Sequence, residues 1–452
     1  MSSEEANVTE APISADDNEQ SLAYAWSVTA ILMIAYTFSF LDREILYLLV
    51  EPIKAAFDLT EFEMGLLMGP AFGIFYTVMG VPLGWAADKF NRTHIITIGV
   101  SAWSALTAAC GLAGSFIQLF IARIGVGVGE ATLTPSAVSL ISDYFPKNKL
   151  PFAMSIYSLG VFVGSGLAMM GGAYVLSLIE GQVFNWPIVG ELDYWQAAFI
   201  MVGAPGLLLA ALIFCLKEPK RKEMAKDESG KDKAASMKEA FKYIWTNKKL
   251  FLNFFVGGSI IATIGYHTAW YPELFVRTWG WTKLEAGQAI GMSSIFGGTA
   301  GLVLGGMYMS RMTDQGKKHI ALSLALASAL CIGLPTIFMP LMPNGMLAAG
   351  LMIASKFFVG IPLITGTTAI RMSVPNQMRG QFTAIYFVFV GLFATSLGPV
   401  IPGFFTTYVF NENLEMLKYS LAISAALVVP IGTFLIWNAR KEYIKVVYAD
   451  EE

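Results

Sequence analysis

The sequence predicts an all-α membrane protein with twelve transmembrane helices in two six-helix bundles. Three observations predict it. Hydrophobic types make up 55% of the 452 residues and charged types only 14%, against about 25% charged in an ordinary soluble domain; a soluble chain this apolar could not cover its own surface. Twelve apolar runs are long enough to cross a bilayer as helix, which takes about 20 residues each. One long charged stretch divides these runs into six and six.

In chain order, residues 1–22 read as a disordered cytoplasmic tail. They carry Glu4, Glu5, Glu10, Asp16 and Asp17 without a Lys or Arg. A secretory signal has a basic start and a short apolar core, so the first apolar run is kept as a membrane span. The N-terminal bundle, 23–216, holds runs at about 24–50, 63–87, 93–113, 116–142, 150–178 and 195–216. The linker, 217–248, contains KEPKRKEMAKDESGKDK, too charged to span, with an amphipathic helix expected near Met237 to Trp245. The C-terminal bundle, 249–437, holds runs at about 249–276, 284–310, 318–341, 345–370, 380–406 and 415–437, and 438–452 form a second cytoplasmic tail.

Basic residues decide the orientation. An even number of spans puts both ends and the linker on one side. That side holds Lys89, Arg92, Lys147, Lys149, Arg311, Lys317, Lys318, Arg371, Arg379, Arg440, Lys441, Lys445 and the Lys/Arg-rich linker. The opposite side holds only Lys54, Arg277, Lys283 and Lys418. Both termini are therefore expected in the cytoplasm. The halves also echo each other: FPKNKLPFAMSIYSLGVFVGSG at span 5 parallels VPNQMRGQFTAIYFVFVGLFATSLG at span 11. Parallel six-helix repeats imply alternating access about a central cavity.

Several classes are disfavoured. A net charge of −3 does not suggest nucleic-acid binding. Cys110, Cys215 and Cys331 sit within apolar runs, and their spacing fits neither a metal site nor a disulfide framework. His94, His267 and His319 are too scattered for a zinc enzyme. No nucleophile–base spacing or phosphate loop supports an enzyme, and no cofactor is expected.

Gly84-Trp85-Ala86-Ala87-Asp88-Lys89-Phe90-Asn91-Arg92 resembles the loop signature between spans 2 and 3 of the major facilitator superfamily. Arg123-Ile124-Gly125-Val126-Gly127-Val128-Gly129-Glu130 resembles that family's span 4 motif; with no βαβ unit around it, the glycines read as close-packing residues rather than a nucleotide loop. Phe40-Leu41-Asp42-Arg43, GVGEATLTPSAVSLISDYFP and SIYSLGVFVGSGLA resemble the spinster branch, chiefly in the N-terminal half. That branch is associated with sphingosine-1-phosphate and lysophospholipids. The resemblance implies the major facilitator fold, a multi-pass location in a bacterial inner membrane, and a cavity lined by spans 1, 4, 7 and 10.

Charges deep in a bilayer cost at least about 2.5–3.5 kcal/mol each on insertion scales. The candidates are Asp42, Arg43, Arg123, Glu130, His267 and Lys356, all on those four spans. Asp42 and Glu130 are the expected proton-coupling residues, with Glu130 short of partners, Asp42 near enough to Arg123 to pair, and Arg43 pointing elsewhere. Arg43, Arg123, Lys356, His267 and Tyr157 are the expected substrate-binding residues, and three cations against two acids suit an anionic group. Gly84, Asp88, Lys89 and Arg92 are the expected conformational latch. Tyr266, Trp270 and Tyr271 read as lining the outer cavity or as an interfacial belt, the belt being preferred. The expected function is proton-linked transport of an anionic amphiphile of lysolipid or sphingoid-phosphate type. The alternatives are symport of a small organic anion such as an aromatic carboxylate, and a membrane sensor without transport. The expected partners are that substrate, protons and membrane lipids, with the chain a monomer.

Overall fold

A computed structural model describes residues 15–146, 148–186, 189–221 and 237–448. The acidic start up to residue 14 and the linker stretch 222–236 lie outside the described residues. Among the described residues, twelve helical spans are long and apolar enough to cross a membrane: Leu22–Leu48, Glu61–Lys89, Arg92–Cys110, Phe116–Tyr144, Leu150–Ile179 and Tyr194–Phe214 (spans 1–6), then Lys248–Trp279, Lys283–Asp314, Ile320–Leu341, Gly345–Ser373, Asn376–Val409 and Leu414–Val447 (spans 7–12). Helices are required because a bilayer offers backbone groups no water to bond.

Span ends are set by local chemistry. Thr60 with Glu63, Asp193 with Gln196, and Thr282 with Glu285 form capping boxes at the starts of spans 2, 6 and 8. Asn91, Ser115 and Asn344 cap spans 3, 4 and 10. Gly280, at φ 68°, ends span 7 in the left-handed conformation that glycine adopts without strain. Two features depart from the sequence reading. Val183–Trp186 and Gly190–Asp193 pair as an antiparallel hairpin between spans 5 and 6. The last helix continues to Val447, beyond the end expected at 437; Tyr443 and Val447 are buried on this extension, so packing rather than membrane thickness sets its length. In the linker, Met237–Thr246 is an amphipathic helix that buries Ala240 and Ile244.

Each half repeats the same packing. Span 3 packs on span 6 as span 9 packs on span 12, and span 2 packs on span 4 as span 8 packs on span 10. The repeat reaches single rings: Tyr157 of span 5 stacks on Tyr36 of span 1 at 5.2 Å, and Tyr386 of span 11 stacks on Phe254 of span 7 at 5.2 Å.

The halves meet through spans 2 and 11 and through spans 5 and 8. Contact is concentrated on the side away from the termini and linker, called distal below: Glu61–Met68 against Ser396–Phe404, and Ser165–Ile179 against Lys283–Gly298. Small residues allow the approach. A Cβ on Gly65 would lie 3.0 Å from the Pro399 carbonyl oxygen, and one on Gly291 would lie 2.6 Å from that of Gly166. Spans 5, 8 and 11 also carry π-helical turns, at Gly160–Gly164, Ser293–Gly298, Gly391–Thr395 and Phe405–Val409. Such turns leave backbone groups without regular partners and cluster at functional segments.

Trp270 and Tyr271 are buried rather than belted around the membrane interface. Trp270 Nε1 donates to the Pro399 carbonyl of span 11 at 2.7 Å, so its indole N–H is satisfied inside the protein.

Candidate functional site

The site begins with three consecutive charged residues in span 1, Asp42, Arg43 and Glu44. Successive helix positions are turned by about 100°, so each side chain meets a different neighbour. Arg43 Nε donates to Glu130 Oε2 at 2.9 Å, and its Nη2 also bonds that oxygen. The Arg43 side chain keeps 14% exposure and that of Glu130 none. Three rings surround the guanidinium: Phe72 at 4.4 Å, Tyr76 at 5.1 Å and Phe40 at 5.2 Å. Cation–π attraction strengthens when the cation is desolvated.

Gly127 makes this cage possible. A Cβ there would lie 2.7 Å from the Phe72 backbone oxygen, so the missing side chain lets span 2 close on span 4 and carries Phe72 over Arg43. Gly125 and Gly129 sit likewise against Leu106 and Trp103.

Arg123 is 1% exposed, and its Nη1 donates to the backbone carbonyl of Asp42 at 3.0 Å. The expected pairing of Asp42 with Arg123 is therefore corrected: Arg123 takes the Asp42 carbonyl, and the ion pair forms between Arg43 and Glu130. The reason is directional. Helix side chains lean toward their own N-termini, and spans 1 and 4 run antiparallel. Arg43 leans toward the terminal side, where Glu130 lies; Arg123 and the short Asp42 side chain lean apart.

Glu44 is 5% exposed and accepts from Ser165 Oγ of span 5 at 2.7 Å. Across the interface, Lys356 of span 10 donates to Thr268 Oγ1 at 2.7 Å. Glu44 is the acidic group whose charge acts on Lys356. Thr268 belongs to a 3₁₀ turn, His267–Trp270, that interrupts span 7. His267 is 1% exposed, and neither ring nitrogen has a hydrogen-bond partner.

Glu44 also corrects the charge count. Asp42, Glu44 and Glu130 stand against Arg43, Arg123 and Lys356, so the expected surplus of cavity cations is absent from this group, in which all but the part-buried Arg43 are buried. Sequence reasoning stopped at the Asp-Arg pair, although Glu44 followed it directly. Phe72, Tyr76, Ser165 and Thr268 were also missed, for they carry no signal outside the tertiary arrangement.

Tyr157 is buried against Tyr36, which in turn lies 5.2 Å from Phe40. It thus joins the Arg43 cage through two rings.

At the terminal end of spans 2 and 3, Arg92 is fully buried. It bonds Asp143, Ser139 Oγ at 2.8 Å and Glu218 at 2.7 Å, all in the N-terminal half or at its exit. Lys89 Nζ lies 4.2 Å over the Trp85 ring. Gly84 faces Pro135, with 3.8 Å left for a Cβ. Asp88 is exposed, and its backbone carbonyl accepts from Arg221 of the linker.

Residues 32–399 match the family model of the Major Facilitator Superfamily. An MFS-type efflux pump of Mycolicibacterium smegmatis is 24% identical over 425 residues, covering 93% of both chains. The cis,cis-muconate transport protein of Acinetobacter baylyi is 27% identical over 391 residues, covering 82% of this chain and 87% of that one. Among solved structures, a bacterial homologue of the human lysosomal transporter Spinster, inward-facing and unoccupied, superimposes with a TM-score of 0.72 at 26% identity, covering 94% of this chain and 97% of that one.

Proposed function

Since the chain belongs to the Major Facilitator Superfamily, and its relatives are transporters rather than enzymes, we propose that it is a proton-linked transporter of an organic anion with an apolar part. The observation that carries this reading is the group of three acids and three bases at the meeting of spans 1, 4 and 10, all buried except Arg43, which is part-buried. A balanced group holds no anion strongly. Protonating one carboxyl leaves one cation uncompensated, and an incoming carboxylate or phosphate restores the balance. Anion and proton then enter together. Glu130 and Asp42 are the proton carriers in this scheme; Arg43, Arg123 and Lys356 receive the anion, with Tyr157 and His267 in the surrounding wall.

The apolar part is supported by the rings of Phe40, Phe72 and Tyr76 around Arg43 and by the likeness to the Spinster homologue. A lysolipid or sphingoid phosphate combines both demands. Small-anion symport is the second reading, favoured by the muconate transport protein among the relatives.

The basic bias supports placing the termini and linker in the cytoplasm, and contact between halves concentrated on the distal side then supports reading this conformation as inward-facing. The latch residues Gly84, Asp88, Lys89 and Arg92 would engage when the cytoplasmic side closes, which fits the exposure of Asp88 here.

Binding of a series of ligands with one anionic head group and increasing chain length tests the choice. Affinity is expected to rise by up to about 0.8 kcal/mol per fully buried CH₂. Affinity that is flat from short to long chains overturns the amphiphile and leaves the small anion; absence of substrate-driven flux in vesicles overturns transport and leaves a sensor.

A further inference from the structure

The distal closure is built from charges that the central site does not use. Arg277 of span 7 donates Nε to Glu51 at 2.9 Å and Nη2 to Glu61 at 3.0 Å, both in the N-terminal half. Lys54 pairs with Glu61 and lies 3.8 Å from Glu412. Glu412, between spans 11 and 12, accepts the Glu61 backbone N–H at 3.1 Å, and Thr407 accepts that of Phe62 at 3.0 Å. The C-terminal half thus caps the first turn of span 2. Lys283 of span 8 lies 3.5 Å from Glu180, which follows span 5.

Glu273, one turn before Arg277 in span 7, is 0% exposed. Neither carboxyl oxygen has a hydrogen bond, and the nearest cation is Arg277 Nε at 3.5 Å, already committed to Glu51. The charges facing Glu273 are Arg277 on its own helix, Lys283 at the start of span 8, Glu51 after span 1 and Glu61 at the start of span 2. Glu412 and Lys54 complete the network behind Glu61. Four acids (Glu51, Glu61, Glu273, Glu412) thus share two bases, Lys54 and Arg277.

A buried carboxylate without hydrogen bonds is disfavoured against its neutral acid; Arg277 and Lys283 oppose this, and Glu51 and Glu61 offset part of their attraction. We infer that Glu273 is a second proton-binding site, occupied when the distal mouth is closed and emptied to the distal side when opening hydrates it. It is separate from the central carboxyls, and its proton is exchanged with the opposite compartment. By linkage, the closed distal mouth binds one proton more than the open one, so acid favours closure.

The experiment places spin labels at Gly114→Cys, in the distal loop between spans 3 and 4, and at Met346→Cys, in the first turn of span 10 at its distal end, with Cys110, Cys215 and Cys331 replaced, in lipid nanodiscs. The short-distance, closed population is expected to grow as pH falls from about 8 to about 5, a range that brackets a perturbed carboxyl. In Glu273→Gln it should hold its acidic level at every pH. In Glu51→Gln, at a position 41% exposed, loss of a facing anion should move the midpoint to lower pH. An unaltered protein that ignores pH, a Glu273→Gln variant that keeps the original response, or an unmoved Glu51→Gln midpoint overturns the assignment. A response lost in Glu130→Gln but kept in Glu273→Gln assigns the proton to the central site instead.

Discussion

Arg43 and Glu130 form a largely buried ion pair between spans 1 and 4, with Arg43 Nε 2.9 Å from Oε2 and the second carboxyl oxygen, Oε1, left without a partner. A carboxylate with one committed and one free oxygen can take a proton without first losing its place. Removing one member of a buried pair strands the other, at about 3–5 kcal/mol. Arg43→Ala is therefore expected to lower the thermal midpoint clearly, whereas Glu130→Gln, which keeps an acceptor for Arg43, should lower it little. Thermal unfolding in detergent compares them, and equal losses would mean that the charge of Glu130 is needed for folding.

The same substitution separates coupling from binding. Glu130→Gln should abolish transport driven by a pH gradient while ligand binding stays measurable. The sign follows from the balance of charges: the proton neutralises Glu130, Arg43 loses its partner, and an anion gains a site, so acid on the substrate side should favour loading. Vesicle flux against imposed pH checks this, and an unchanged pH profile in the variant moves the coupling role to Asp42 or Glu44.

Glu44 and Lys356 stand on opposite halves, held by Ser165 and Thr268 respectively. If Lys356 receives the anion, Glu44 competes with it. Glu44→Gln should tighten anion binding, and Lys356→Met should weaken it by tenfold or more, since a charge-assisted bond is worth about 1.5–3 kcal/mol. Equilibrium binding measures both; an affinity indifferent to Lys356 would confine the anion site to the N-terminal half.

Gly127→Ala tests the cage. The added Cβ would meet the Phe72 backbone oxygen at 2.7 Å, and backbone cannot yield as a flexible side chain does. Overpacking of this kind costs about 1–3 kcal/mol. Span 2 should be pushed off span 4, lifting Phe72 from Arg43, so both stability and ligand affinity should fall. Retained affinity with lost stability would show that the ring over Arg43 does not contribute to binding.

Asp88→Asn should slow cycling with little change in affinity, because Asp88 is exposed in this state and touches no part of the site. Transport rate and binding measured side by side check it. Parallel loss of both, with normal expression, would give Asp88 another role.

The number, order and approximate limits of the spans were determined by the sequence alone, because a bilayer demands long apolar helices and any such run announces itself. The repeat of Tyr157 and Tyr386 was legible too, since both stand at the same place in two similar segments. So were Asp42, Arg43, Arg123, Glu130 and Lys356 as deep charges, for a charge within an apolar run is conspicuous. Which of them pair was decided only by the tertiary structure. Spacing along one helix cannot tell how far a side chain leans toward a neighbour, and the antiparallel lean of spans 1 and 4 gave Glu130 to Arg43 rather than Asp42 to Arg123. Glu61 and Arg277 stand at span ends, where charges are ordinary; only the docking of the two halves buries them together. A one-dimensional pattern records which groups must leave water, while their partners come from helices far away in the chain.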